Sequence, residues 1–199
     1  MDTKQAELEI TLIKKIMEDS RKIIACDGKD FIVWGILVLI GLVGTYVLES
    51  IRIYDYIGWL WIIVIAIGWI YSFMIHWIGK SRIRVRTLAG KIIGGIWLSC
   101  GIAMTIIGFL GMYSGALKDW GISPMMSIVL GIAYFTSGIV YANSSVKYLA
   151  LGWWGGAVIM FLFPGLHILL IFAAMMILFQ IVPGVIFYIK WKNDLNTNG

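Results

Sequence analysis

The sequence predicts an all-α protein, a polytopic bundle of six transmembrane helices preceded by an N-terminal amphipathic cytoplasmic helix. Three observations predict it. First, the 199-residue chain is 60% hydrophobic and only 14% charged, whereas a soluble domain is about a quarter charged; its mean hydropathy is +0.90. Second, the apolar residues fall in six runs, roughly 31–48, 57–78, 92–113, 124–142, 146–163 and 167–189. A bilayer core takes about 17–25 helical residues, so each run is long enough to cross it. Third, the basic residues gather at the ends of these runs, the placement that membrane topology requires. Residues 1–30 form the helix and linker, 31–189 the bundle and 190–199 a short tail.

Residues 6–25 read as an amphipathic helix. At about 100° per residue, Leu8, Leu12, Ile16 and Ile23 lie on one flank of the apolar face, and Ile10, Ile13, Met17 and Ile24 on the other. Lys14, Lys15, Glu18, Arg21 and Lys22 occupy the opposite arc, while Glu9, Asp19 and Ser20 interrupt the apolar side. Lys14–Glu18, Lys15–Asp19 and Glu18–Lys22 are spaced four apart and support the helix slightly. Asp27-Gly28 marks its end, and Asp30 is placed to cap the first span.

The connections between spans carry signals of their own. Ser123-Pro124 reads as a helix start, with Ser as cap and Pro in the first turn. Asn143-Ser144-Ser145 reads as a short turn. Pro164-Gly165 reads as a tight one that folds spans five and six into a hairpin. Three antiparallel hairpins are the expected arrangement.

Charge orients the chain. The N-terminal segment, the loop from Lys80 to Lys91, the fourth connection and the tail together hold fourteen Lys and Arg residues, and the opposite side holds only Arg52 and Lys118. Loops rich in Lys and Arg stay in the cytoplasm, so both termini are expected there. Trp59, Trp61 and Trp120 then mark the outer interface, Trp77 and Trp191 the inner one. The net charge of +5 is thereby explained by topology, with no call for nucleic acid. Arg82, Arg84 and Arg86 alternate with apolar residues and would present three guanidiniums to anionic lipid headgroups.

Chemistry-bearing residues are sparse. No Asp, Glu, Lys or Arg lies in the middle of a run. Such charges mark ion paths and proton relays, so a carboxylate-based pump is disfavoured. His76 and His167 fall on opposite membrane faces and cannot share a metal. Cys26 and Cys100 are too far apart along the topology for a disulfide. The sequence contains no metal-ligand spacing, phosphate loop, HExxH, GxSxG or CxxC motif, so neither a cofactor nor an enzyme is implied.

Polar groups inside the runs are Thr45, Ser72, Ser99, Thr105, Thr136, Ser137 and Gln180. Hydroxyls in spans bond to their own helix or a neighbour by default. Gln180 precedes Pro183 and Gly184. Proline removes a backbone donor and leaves the Phe179 carbonyl unpaired, and a broken helix beside an amide can form a midplane ligand site. A proline kink satisfied by a neighbouring helix is the plainer reading. Gly90/Gly94, Gly111/Gly115, Gly152/Gly156 and Ser127/Gly131 have close-packing spacings that serve either the bundle or a homo-oligomer. Ile57-Gly58-Trp59 and Leu151-Gly152-Trp153 match at a shift of 94 residues, which also aligns Gly44 with Gly138. Such matches would suit inverted halves.

Five stretches together resemble an uncharacterised family of small bacterial multi-pass membrane proteins with an N-terminal amphipathic helix. They are Leu12 to Lys22, Phe31-Ile32-Val33-Trp34-Gly35, Gly131 to Ile139, Gly152-Trp153-Trp154 and Ile181-Val182-Pro183-Gly184. The resemblance implies a bacterial plasma membrane and supplies no activity.

Two functional expectations follow. The first is a non-enzymatic regulatory or scaffolding protein that engages a protein partner or the inner leaflet of the bilayer through Leu8, Leu12, Ile16, Met17 and Ile23. The second is a transporter or channel for an uncharged solute, with Gln180, Pro183 and Gly184 at a midplane site.

Overall fold

The structure, a computed structural model, describes residues 28–79, 88–117 and 119–197. The expected N-terminal helix with Leu8, Leu12, Ile16, Met17 and Ile23, and the loop arginines Arg82, Arg84 and Arg86, lie outside the described residues. Within them the helices are α1 (Lys29–Ser50), α2 (Ile57–Gly79), α3 (Leu88–Tyr113), α4 (Ile122–Val140), α5 (Ser144–Leu162), α6 (His167–Met175) and α7 (Val182–Thr197). A short 3-10 turn, Asp119–Gly121, leads into α4, and a π-helical turn, Met176–Ile181, joins α6 to α7. Among the described residues six helical stretches are long and apolar enough to cross a membrane, the sixth running His167–Asn193 through the π turn. The protein is an all-α, multi-pass bundle, the form that satisfies every backbone polar group without water.

The helix ends differ in detail from the sequence expectation. Gly28, with φ 63°, occupies the N-cap of α1 without a side-chain cap, and Asp30 sits inside the first turn. There its charge favours the positive end of the helix dipole. Ser123 is likewise inside α4, whose N-cap is Gly121, because the 3-10 turn feeds directly into the helix. Asn143 does cap α5, its side chain accepting from the amides of Ser145 and Val146. Before it, α4 closes with the amide of Ala142 on the Ile139 carbonyl and that of Asn143 on the Gly138 carbonyl. This double bond pattern places Ala142 at φ 50°, a left-handed helix stop taken here without glycine. Arg52, at φ 61°, ends α1 in the same way through Glu49 and Leu48.

The spans are not equivalent. Half of the α4 and sixth-span windows is buried, against 11% of α2 and 6% of α3. So α1, α4, α5 and the sixth span form the inner bundle, while α2 lies against α1 and α3 against α4. The most extensive pairing is α4 with α5 rather than any of the three expected hairpins. Small residues explain it. Gly131 faces the Trp154 indole, Gly138 faces the backbone of Lys147, and the Ser127 hydroxyl donates to the Trp153 carbonyl at 2.6 Å. Side chains this small let two helix axes close up where dispersion is the main attraction. The core between the inner helices contains Leu42, Tyr134, Ala150, Trp153, Met160 and Ile168. The matched triplets of the possible repeat fall in opposite settings: Trp59 is 65% exposed, whereas Trp153 is fully buried.

Candidate functional site

Tyr134 is the point on which the bundle converges. It is fully buried on the inner face of α4. Its ring lies 5.8 Å from Phe31 of α1, 5.5 Å from Trp97 of α3 and 6.0 Å from Trp153 of α5. Its hydroxyl donates to the Gln180 Oε1 of the sixth span at 2.5 Å. Five of the six spans thus meet at one side chain. Trp97 stands edge-on to both Phe31 and Tyr134, the geometry that ring quadrupoles favour. A phenol at this depth needs an acceptor, because an unmade hydrogen bond in an apolar interior is costly.

Gln180 reaches Tyr134 because of the π turn. The Val182 amide donates to the Ile177 carbonyl, five residues back, so the helix carries an extra residue per turn here. Pro183 follows at once and brings no N–H. The break expected at Pro183 therefore falls in the six residues before it. Gly35 of α1 presents bare backbone to this turn: a Cβ there would lie 3.1 Å from the Gln180 Cγ and 2.5 Å from the Ile181 Cγ1.

Beyond the turn, Pro183 and Gly184 are buried. A Cβ at Gly184 would sit 2.9 Å from the Phe31 Cβ, and one at Gly28 would run into the Gly184 carbonyl oxygen. The start of α1 and the start of α7 are thus in backbone contact. One turn further on, the Lys29 ammonium lies 5.9 Å from the centre of the Tyr188 ring and 5.2 Å from that of Trp191. Each such cation–π contact contributes about 0.5–1 kcal/mol where water reaches it.

Indole N–H groups tie neighbouring spans together. Trp34 donates to Ser72 at 3.0 Å, Trp61 to Thr45 at 3.0 Å, Trp69 to Thr105 at 3.4 Å and Trp97 to Ser137 at 3.1 Å. Thr45 and Thr105 pass their own protons to carbonyls one turn back, at Gly41 and Gly101. The hydroxyls were expected to bond to their own helix or a neighbour, as they do, and Trp61 to mark an interface; that the partners on neighbouring spans are indole N–H groups was not foreseen. The available signal was Trp residues deep in apolar runs, whose donors had to find acceptors. Ser99 and Thr136 bond within their own helices. Trp153 Nε1 is the buried side-chain polar atom without a partner among the described residues. We expect Ser137→Ala to destabilise the bundle by about 1 kcal/mol, since it strands the Trp97 donor. A double-mutant cycle with Trp97→Phe, read by unfolding in mixed detergent micelles, should return most of that loss; additive effects would contradict the pairing.

The remaining candidates are dispersed. His167 Nε2 lies 2.8 Å from the Phe163 carbonyl at an exposed turn. The His76 side chain lies outside the described residues. Among the described residues no His, Cys, Asp or Glu cluster could hold a metal. Gly152 packs on Phe179 and Gly156 on Met175, both inside the bundle, whereas Gly94 has open space around its Cα. An open cleft of about 280 Å³ sits at the α4–α5 turn, lined by Gly138, Asn143, Ser144 and Lys147. Compared with known protein families, with characterised proteins and with solved structures, the chain matches none.

Proposed function

We propose that the protein is a non-enzymatic regulatory or scaffolding protein of a bacterial plasma membrane, with both termini cytoplasmic. Residues 6–25 engage a protein partner or the inner leaflet. The observation that carries this reading is the joint at the end of that segment. Gly28 rests on Gly184, and Lys29 on Tyr188 and Trp191, so whatever holds the N-terminal segment also loads the last span. The charge split supports the orientation. Arg82, Arg84 and Arg86 would hold anionic headgroups on the same side. Charge placed on the apolar face tests the reading: Leu12→Glu with Ile16→Glu should reduce partner capture or binding to anionic bilayers at least tenfold. Unchanged capture and unchanged lipid binding would contradict it.

A second reading, a transporter or channel for an uncharged solute, is favoured by one observation. A buried polar pair, Tyr134 and Gln180, stands beside an irregular turn and Pro183, as at the broken helices of carriers. Solute uptake that survives Gln180→Leu and Pro183→Ala unchanged would remove that path.

A further inference from the structure

The sixth span packs along α1 over its upstream half, its π turn and its downstream half, and it has further anchorages on either side of the turn. Upstream of the π turn, Met175 is seated on Gly156 of α5, and within the turn Phe179 is seated on Gly152. Downstream, Gly184, Tyr188 and Trp191 are joined to Gly28 and Lys29 at the start of α1. Between these anchorages the turn has one side-chain hydrogen bond among the described residues, from Tyr134 to Gln180. Pro183 leaves one carbonyl without a donor in either backbone register: that of Phe179 in an α ladder, that of Leu178 in a π ladder. In the π form Gly35 seats Gln180 and Ile181, and Gly184 seats Phe31 and Ile32, so these contacts belong to one register only.

We infer that Met176–Ile181 is a register switch. Its conversion from π to α turns Val182–Thr197 by one residue step, about 100° and about 1.5 Å, against His167–Met175, and takes Gly184, Tyr188 and Trp191 off their seats at Gly28 and Lys29. The Tyr134–Gln180 bond holds the π form. The role of the switch rests on the reading that the N-terminal segment engages a partner or the leaflet: binding there pulls on Gly28 and shifts the register, and the register in turn sets how the segment is presented. Sub-ångström changes at such a joint are amplified because packed interfaces adopt discrete arrangements.

Spin labels at Ser145 and Lys192, both exposed and at the same end of the bundle, read the register directly in a Cys26→Ala, Cys100→Ala background. A one-step turn of a helix about 10–12 Å across moves an outward label by on the order of 5–10 Å. The purified full chain in lipid nanodiscs should give one distance. Tyr134→Phe should add a second, and Gln180→Leu should add the same second distance. Deleting Ile177, an exposed residue of the turn, removes the extra residue. In the Tyr134→Phe background the deletion should return the distribution to the single original distance. A single distance in both point variants, or a second distance that persists after the deletion, would overturn the switch. No partner is present in this measurement, so it stands or falls separately from the binding test on Leu12 and Ile16.

Discussion

Trp153→Ala should be the most damaging truncation in the bundle, lowering its stability by about 3 kcal/mol. Trp153 is fully buried and stacks on Tyr134 while Phe172 and Phe179 meet it edge-on. Removing a buried Trp side chain costs about 3–5 kcal/mol in soluble cores, through lost transfer energy and the cavity left behind. The transfer share shrinks in a bilayer, where lipid tails are as apolar as the protein interior. That argument selects the lower end of the range. Trp153→Phe should behave quite differently. It keeps most of the ring contacts and removes the unpartnered Nε1 donor, whose burial costs about 1–3 kcal/mol. Reversible unfolding in micelles of increasing dodecyl sulfate content compares the two. Equal losses for Ala and Phe would show that Trp153 is not held as described.

Gly138→Ala should follow closely, at about 2–3 kcal/mol. Its Cβ would come 2.5 Å from the Lys147 nitrogen and 2.6 Å from the Lys147 Cα. Both are backbone atoms of α5, so no rotamer change relieves the overlap and the two helices must move apart. Overpacking of this kind costs about 1–3 kcal/mol, and α4–α5 is the pairing on which the inner bundle depends. Gly94→Ala and Gly155→Ala are the controls, because a Cβ at either meets nothing within 4 Å. Each should be neutral or stabilising by up to about 1 kcal/mol through helix propensity. The same unfolding assay decides, and a Gly138→Ala variant as stable as these controls would contradict the close approach.

The span count was legible because length and hydropathy are local properties, and so was the Asn143 turn, whose capping group is its own side chain. The inner and outer ranks of the spans were not. In lipid both faces of a helix are apolar, so the amphipathic stripe that ranks helices in a soluble protein is missing. Ile63 and Leu42 look alike in sequence, yet Ile63 is 56% exposed and Leu42 is 2% exposed. Gln180 could be singled out as the one amide inside a span. Its partner Tyr134 could not, since 46 residues separate them and the π turn that aligns them has Pro183 as its nearest sequence sign. The Gly28–Gly184 contact was equally hidden. Gly28 read as the end of one helix and Gly184 as part of a break, and only the fold brings the two together.

The claim that gives the architecture its purpose is that the N-terminal segment is the point of engagement. Crosslinked co-purification from native membranes, comparing the full chain with one lacking residues 1–25 after equal insertion has been verified, tests it most directly. A specific partner, or enrichment of anionic lipid, should be captured by the full chain and lost from the shortened one. Identical capture by both chains, or no specific capture by either, would rule out engagement through residues 1–25 and leave the Tyr134–Gln180 pair to be explained by solute binding.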